Sequence, residues 1–300
     1  MSATAGYAAH LATLERGFTG LPDKPEETAV ATLAALWHLA AGNPLSAAGA
    51  AERAELPALD GAAEERLRAL IQRRLAGEPL AHITERQQFM GMEMLAGPGA
   101  LIPRRETELL AQAAIDRARE LVRDRATLTA IDVCTGSGNV ALAIARHVPQ
   151  ARVFAADLSA EAVELARLNA RFLGLEDRVS LEAGDLLTPF DQPELVGQVD
   201  VLTCNPPYIS SGKLEHMPTE IIGFEPSLAF DGGPLGIRII QRLISEAPRF
   251  LRSGGWLCFE IGLGQGPAVK SRVIKTGNFD QVESVVDHAG DIRAISARRK

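Results

Sequence analysis

Asn205-Pro206-Pro207-Tyr208 carries more chemistry than any other four residues of this 300-residue chain. Asn205 presents a side-chain carbonyl. Pro206 has no N–H and offers only its backbone carbonyl, and Pro207 restricts Pro206 to an extended conformation, so that carbonyl points in a fixed direction. Two fixed acceptors suit a substrate –NH₂ group, which has two protons to give. Tyr208 adds an aromatic face for a planar amide or base. The lone pair of an amide or exocyclic amine nitrogen is delocalised. Accepting both N–H bonds from chosen directions turns that lone pair toward an electrophile and favours the positive charge that grows as the new bond forms. With a sulfonium methyl in line, alignment supplies much of the rate, and no strong base is needed because the proton leaves after transfer. The competing reading of the four residues is an ordinary turn.

A second segment, Ile131-Asp132-Val133-Cys134-Thr135-Gly136-Ser137-Gly138, leads from a strand directly into a helix. Its small residues let the backbone approach a ligand, and free amides at a helix start favour electron-rich groups. Asp157 ends the next strand, where a carboxylate accepts hydrogen bonds from ribose hydroxyls. Together these predict an adenosine site. Gly136 to Ala141 also fits the relaxed dinucleotide pattern G-x-G-x-x-A, so loop and acid alone leave a nicotinamide oxidoreductase open. That alternative gives Asn205–Tyr208 no task. The four residues favour S-adenosylmethionine as the cofactor.

The elements that must position these groups follow from periodicity. After Glu106 strands and helices alternate, which predicts a doubly wound α/β domain with a mostly parallel sheet. The strands fall near 128–134, 152–157, 179–184, 199–205 and 256–261, with helices at 139–147, 160–173 and 235–251. A strand pair near 280–287 and 292–296 closes the sheet. The first 84 residues read as a small helical domain for substrate recognition. Val30, Leu33, Trp37 and Ala40 share one helix face, ended by Gly42-Asn43-Pro44, and a second helix runs from Asp60 as N-cap through Leu67, Leu70, Ile71 and Leu75 to Gly77. Residues 85–104 read as a hairpin linker, with Met90, Met92 and Met94 as buried filler rather than a binding lip. Residues 105–300 are the catalytic domain.

Composition narrows the class. A hydrophobic fraction of 46% and a charged fraction of 23% are ordinary for a globular chain. The net charge of −7 disfavours a protein whose main task is gripping nucleic acid phosphates. Three scattered cysteines suit neither a disulfide framework nor a zinc site. With no apolar run long enough to span a membrane and no signal-peptide pattern at the N-terminus, the expected setting is cytoplasmic, with no membrane and no metal.

Asp132-x-Cys134-Thr135-Gly136-Ser137-Gly138 followed by Asn205-Pro206-Pro207-Tyr208 resembles the amino-methyltransferases that use S-adenosylmethionine. Gly77-Glu78-Pro79-Leu80-Ala81-His82-Ile83, Leu101-Ile102-Pro103-Arg104-Arg105-Glu106-Thr107-Glu108 and Phe224-Glu225-Pro226 narrow the resemblance to the protein glutamine methyltransferases. That family holds the release-factor enzymes, which modify the Gln of a Gly-Gly-Gln loop, and the similar ribosomal-protein enzymes. The resemblance implies a Rossmann-like class I methyltransferase fold. It implies that Cys134, Thr135, Gly136, Ser137 and Gly138 wrap the amino-acid end of the cofactor and Asp157 takes the ribose. Asp185 and Leu186 would sit by the adenine, Asn205 would touch cofactor and substrate, and Asn205, Pro206, Pro207 and Tyr208 would hold the glutamine amide. Three departures stand out: Arg105 where a proline is usual, Cys134 where release-factor enzymes usually have Gly, and aliphatic Leu186 where some relatives have an aromatic.

The expected activity is therefore methylation of a protein glutamine side chain, with peptide chain release factor preferred as partner over a ribosomal protein. An adenine methyltransferase on nucleic acid, a small-amide methyltransferase and a non-catalytic cofactor-binding module are the alternatives. Among weaker polar groups, Glu106 and Glu108 either line the pocket or stabilise a helix start. Glu260, at the end of the fifth strand, either faces the site or caps the strand, with the structural reading favoured; Cys204 is read as core, and His216 as a group that could reach substrate. Gly232-Gly233 suggests a mobile loop over 209–234.

Overall fold

The computed structural model describes residues 3–21, 23–217 and 219–300. The chain divides into two compact units: Met1–Pro98 with Ile102–Arg104 and Pro218–Glu225, and Gly99–Leu101 with Arg105–Met217 and Pro226–Lys300.

The first unit holds α1 (Ala3–Gly17), α2 (Ala29–Ala40), α3 (Ala47–Ala51), α4 (Gly61–Leu75) and α5 (Leu80–Thr84), followed by β1 (Arg86–Phe89) and β2 (Met92–Leu95). Thr28, Ser46 and Asp60 cap α2, α3 and α4 by accepting backbone N–H bonds two or three residues into the helix. Leu33, Leu36, Trp37, Leu67, Ile71 and Leu80 form the core. Val30, expected on the buried face of α2, is 53% exposed because it lies in the first turn, ahead of the stretch buried all round. The β1–β2 hairpin turns through Met90 and Gly91, both at positive φ, as the strand twist requires of a two-residue turn. Met92 and Met94 are buried, as the filler reading expects, whereas Met90, in the turn, is only half-buried.

Charge is also buried in this unit. Arg74 pairs with Glu27 at 3.2 Å and with Glu220 at 3.0 Å, and Glu220 takes Lys24 at 3.0 Å. Arg104 holds Glu225 at 2.5 Å and Asp23 at 3.0 Å. Glu225 further accepts the backbone N–H of Ile102 at 2.9 Å.

The second unit contains α6 (Thr107–Leu121), β3 (Leu128–Val133), α7 (Asn139–His147), β4 (Ala151–Asp157), α8 (Ala160–Phe172), β5 (Val179–Ala183), β6 (Val199–Cys204) and α9 (Ser211–Leu214). After α10 (Thr219–Ile222), which belongs to the first unit, come α11 (Arg238–Phe250), β7 (Leu251–Glu260), α12 (Gly266–Lys275), β8 (Phe279–Val286) and β9 (Ile292–Arg299). The sheet order is β5-β4-β3-β6-β7-β9-β8. The first five strands are parallel, and β9 runs antiparallel to both β7 and β8. This is the Rossmann-like class I methyltransferase architecture, with the strand order reversing between β3 and β6. Open sheets of this kind bind ligands at the carboxyl ends of the strands beside such a reversal.

The boundaries that differ from expectation have local causes. β7 begins at Leu251 rather than near 256; the pairing with β6 shifts register there, and Gly255 lies against the carbonyl of Val199. α11 starts at Arg238 rather than near 235 because Gly236 sits at φ +67, outside the helical region. α12 is not among the expected helices; it opens on Gly266-Pro267, where proline suits a first turn. Among the described residues no helix is long and apolar enough to cross a membrane.

Candidate active site

The loop after β3 is held open by its own backbone. Cys134, Gly136 and Gly138 all have positive φ, at 55°, 55° and 84°. A cysteine in this region is strained, a feature that concentrates at ligand sites. A Cβ on Gly138 would press on Ala166 and Leu142 at 3.1 Å, whereas one on Gly136 would meet nothing within 4 Å. The loop is thus tight toward the protein and open on the other side.

Side chains missed in the sequence reading fix it. Asp132, fully buried, accepts the hydroxyls of Thr135 and Thr203 at 2.6 Å each, tying the loop to β6. Burial pushes its carboxyl up to about 6, against the pull of those two hydroxyls. Asn169 donates to the carbonyl of Ser137 at 3.1 Å. Asp132 lay within the quoted loop motif, so its residue type was the available signal; Asn169 gave none.

Asp157 ends β4 with one oxygen accepting Gly136 N–H at 2.8 Å and the other accepting Ser159 N–H at 2.9 Å. Burial raises its pKa and these amides oppose the rise. Each oxygen retains acceptor capacity for a hydroxyl. Ser137 Oγ is buried with no partner of its own. An open small-residue loop, a carboxylate able to accept two more hydrogen bonds and an orphaned hydroxyl fit the amino-acid and ribose ends of S-adenosylmethionine. After β5, buried Leu186 stands at φ 49°, a second strained position at a strand end. Asp185 beside it is exposed, and both its oxygens take Nη1 of Arg242 at 3.0 Å.

Asn205 follows β6, next to the loop after β3 through the pairing of Val133 with Cys204. Its Nδ2 donates to Thr107 Oγ1 of α6 at 3.2 Å. Tyr208 packs against the core of this unit. Its hydroxyl donates to Glu260 Oε1 at 3.0 Å and lies 3.3 Å from Glu106 Oε1. Glu106 in turn pairs with Arg293 at 2.6 Å. Glu260 is 1% exposed with Oε2 unpartnered, and burial raises its carboxyl to about 7 while the hydrogen bond from Tyr208 pulls the other way. Burial next to the two carboxylates pushes the Tyr208 hydroxyl well up. Glu260 therefore faces the site, the less favoured of its two readings, and contacts the motif directly. The β7 strand aims it there, and its distance from Asn205 in sequence hid the contact.

The motif's backbone is gripped as closely. Gln265 Nε2 donates to the carbonyl of Tyr208 at 3.1 Å. A Cβ on Gly232 would lie 2.7 Å from the carbonyl oxygen of Pro207, and one on Gly236 would lie 2.2 Å from that of Tyr208. These glycines give the loop its close approach to the motif, a role the hinge reading of Gly232-Gly233 overlooked. Cys204 is buried, as expected. His216 is exposed and takes no part in these hydrogen bonds. Among the described residues no group of three or more His, Cys, Asp or Glu could hold a metal ion.

Comparison with known proteins agrees with this geometry. Residues 124–262 match a methyltransferase domain family, and residues 53–84 match the PrmC N-terminal domain. A release factor glutamine methyltransferase of Moorella thermoacetica is 40% identical over 230 residues, 77% of this chain and 78% of that protein. One from Streptomyces coelicolor is 42% identical over 200 residues, 67% of this chain and 68% of its own. Among solved structures, the human methyltransferase 10 domain containing protein superposes with TM-score 0.50 at 18% identity, over 69% of this chain and 88% of that one. The catalytic domain of hMettl16, solved with an RNA hairpin, gives 0.56 at 16% identity, over 75% and 80%. At those identities the likeness is one of fold. The sequence matches go further: the chain belongs to the release factor glutamine methyltransferase family and is an S-adenosylmethionine-dependent protein-glutamine N-methyltransferase.

Proposed function

We propose that the physiological substrate is the glutamine of the Gly-Gly-Gln loop in peptide chain release factors. The observation that carries this reading is the 40% identity to a release factor glutamine methyltransferase across 77% of the chain, joined to an Asn205–Tyr208 segment at the reversal of the sheet. Asn205 Oδ1 and the Pro206 carbonyl accept the two N–H bonds of the glutamine amide, and Pro207 fixes the direction of the second acceptor. Tyr208 packs on the amide plane. Residues 134–138 and Asp157 hold the cofactor, with Asp185 and Leu186 at its adenine end. Bound S-adenosylmethionine supplies the methyl group: the nitrogen–carbon bond forms as the carbon–sulfur bond breaks. The amide proton leaves for solvent afterwards, so these residues need only bind, orient and exclude water. The helical region within residues 1–84 contributes substrate recognition, with residues 85–104 as its connection to the catalytic domain at 105–300.

The test is intact-mass analysis of purified release factor and purified ribosomal protein, each incubated with the enzyme and S-adenosylmethionine, with Asn205→Ala as control. One added methyl on release factor alone, absent with the variant, is the expected result. Methylation of the ribosomal protein alone would overturn the substrate assignment.

A further inference from the structure

Gln265 stands at the N-cap of α12, where a side chain often accepts a helix N–H, yet it makes no capping hydrogen bond. Its amide serves three backbone groups elsewhere. Oε1 accepts the N–H of Gly262 at 2.9 Å, and Nε2 donates to the carbonyls of Tyr208 at 3.1 Å and Gly236 at 3.3 Å. A peptide N–H can only donate and a carbonyl can only accept, so these partners allow one orientation of the amide. The turn is closed the other way as well, by the Gln265 N–H on the Gly262 carbonyl at 3.0 Å. One side chain thus joins the turn after β7 to Tyr208, 57 residues earlier, and to Gly236, 29 residues earlier. The same turn meets the Tyr208 ring: a Cβ on Gly262 would lie 3.1 Å from Tyr208 Cδ2. With its hydroxyl on Glu260 at 3.0 Å, Tyr208 is held at hydroxyl, ring and carbonyl, all by residues 260–265. Hydroxyl and ring contacts alone leave the backbone free to shift. The carbonyl contact fixes the chain from which the ring projects.

We propose that Gln265 is a positioning residue for methyl transfer: by donating to the carbonyls of Tyr208 and Gly236, its amide fixes the Tyr208 backbone and so the ring that packs on the substrate amide. The inference rests on the reading of Asn205–Tyr208 as the holder of that amide, and it names a residue outside the motif on which the motif's placement depends. Gln265 acts on the substrate only through Tyr208. Nε2 has two protons, one for each carbonyl. Gly236 makes the sharing possible, since a Cβ there would lie 2.2 Å from the Tyr208 oxygen and 3.1 Å from Gln265 Nε2. Substitution separates the two ends of the amide. A carboxylate in Gln265→Glu still accepts from Gly262, but it sets an acceptor against the two carbonyls. Gln265→Met keeps the length of the side chain and loses every hydrogen bond.

Two readouts test the proposal on the full chain. The first needs no substrate. The chain has two tyrosines, Tyr7 and Tyr208, so enzyme labelled with ¹³C-tyrosine gives two sets of ring signals, assigned with Tyr7→Phe. The Tyr208 signals move in Gln265→Glu and Gln265→Met, and those of Tyr7 do not. The second is methyl transfer to release factor, on variants shown by circular dichroism to be folded. Both substitutions lower kcat by about tenfold or more, the rate equivalent of a lost hydrogen bond. Calorimetric affinity for S-adenosylmethionine is unchanged, because residues 134–138 and Asp157 take no part in the hydrogen bonds of Gln265. Wild-type kcat in Gln265→Glu overturns the proposal, since closing the turn on Gly262 is then the whole task of the side chain. Tyr208 signals unmoved in both variants also overturn it. Full activity in Asn205→Ala instead overturns the underlying reading of the motif, and Tyr208 signals that still move in the Gln265 variants tell that outcome apart.

Discussion

Gly236→Ala isolates how closely the turnover motif is held. Gly236 stands at φ +67, where a residue with a Cβ pays about 1–2 kcal/mol. The added carbon would also lie 2.2 Å from the carbonyl oxygen of Tyr208 and 3.0 Å from its carbonyl carbon. Ordinary carbon–oxygen contact begins near ~3.3 Å, so the Tyr208 backbone must retreat by about 1 Å. A misplacement of that size costs on the order of 10²-fold in rate when it reaches the reacting groups. The assay is kcat for methyl transfer on protein shown by circular dichroism to be folded, beside the calorimetric affinity for S-adenosylmethionine. The expected outcome is a kcat loss on the order of 10²-fold with cofactor affinity nearly unchanged, because the added carbon presses on Tyr208 and Gln265 rather than on residues 134–138. Gly233→Ala is the control. It has the same kind of backbone cost at φ +84, but its Cβ meets only Arg238, whose Cβ lies at 3.3 Å, and no atom of the Asn205–Tyr208 segment, so stability falls and kcat does not. Wild-type kcat in Gly236→Ala, or equal rate losses in both variants, would refute the reasoning.

Other outcomes follow from buried charge. Burial raises the Asp132 carboxyl from 3.8 to about 6, so its contribution to stability is full below about pH 4 and is lost as pH rises to about 6, a change of about 3 kcal/mol. Urea titrations of Asp132→Asn across that window should give a correspondingly flatter pH dependence than the wild type. Removing Glu225 in Glu225→Ala leaves the buried Arg104 with Asp23 and the Ile102 carbonyl and unties the Ile102 N–H, and chemical unfolding should show a loss of about 3 kcal/mol or more. Asp157→Ala takes away the proposed ribose acceptor together with the anchor of Gly136, and calorimetry should show cofactor affinity reduced on the order of 10²-fold.

What was legible in the sequence was local. Asn205 to Tyr208 and Cys134 to Gly138 are contiguous runs whose residue types state their geometry, and Asp157 falls at the end of the next strand in a predictable pattern. The parallel sheet followed from alternating periodicities, and Asp60 announced its helix as a cap. What escaped was made by strand and helix neighbours distant in the chain. Nothing near Asn205 points to Thr107, nothing near Tyr208 points to Glu260, and Asp132 gains its role only when β3 lies beside β6. Arg242 meets Asp185 across 57 residues, by way of α11. Glycine was the most ambiguous symbol: Gly232 reads as loop mobility and proves to be a close approach to the motif.

The central claim is that Asn205 and Pro206 hold a glutamine amide nitrogen for methyl transfer. Tandem mass spectrometry of release factor treated with the enzyme and S-adenosylmethionine tests it most directly, with a release factor carrying glutamate in place of the Gly-Gly-Gln glutamine alongside. One methyl on the side-chain nitrogen of that glutamine, and none on the glutamate form, is the expected result. A methyl at any other site, or one that persists on the glutamate form, would contradict it.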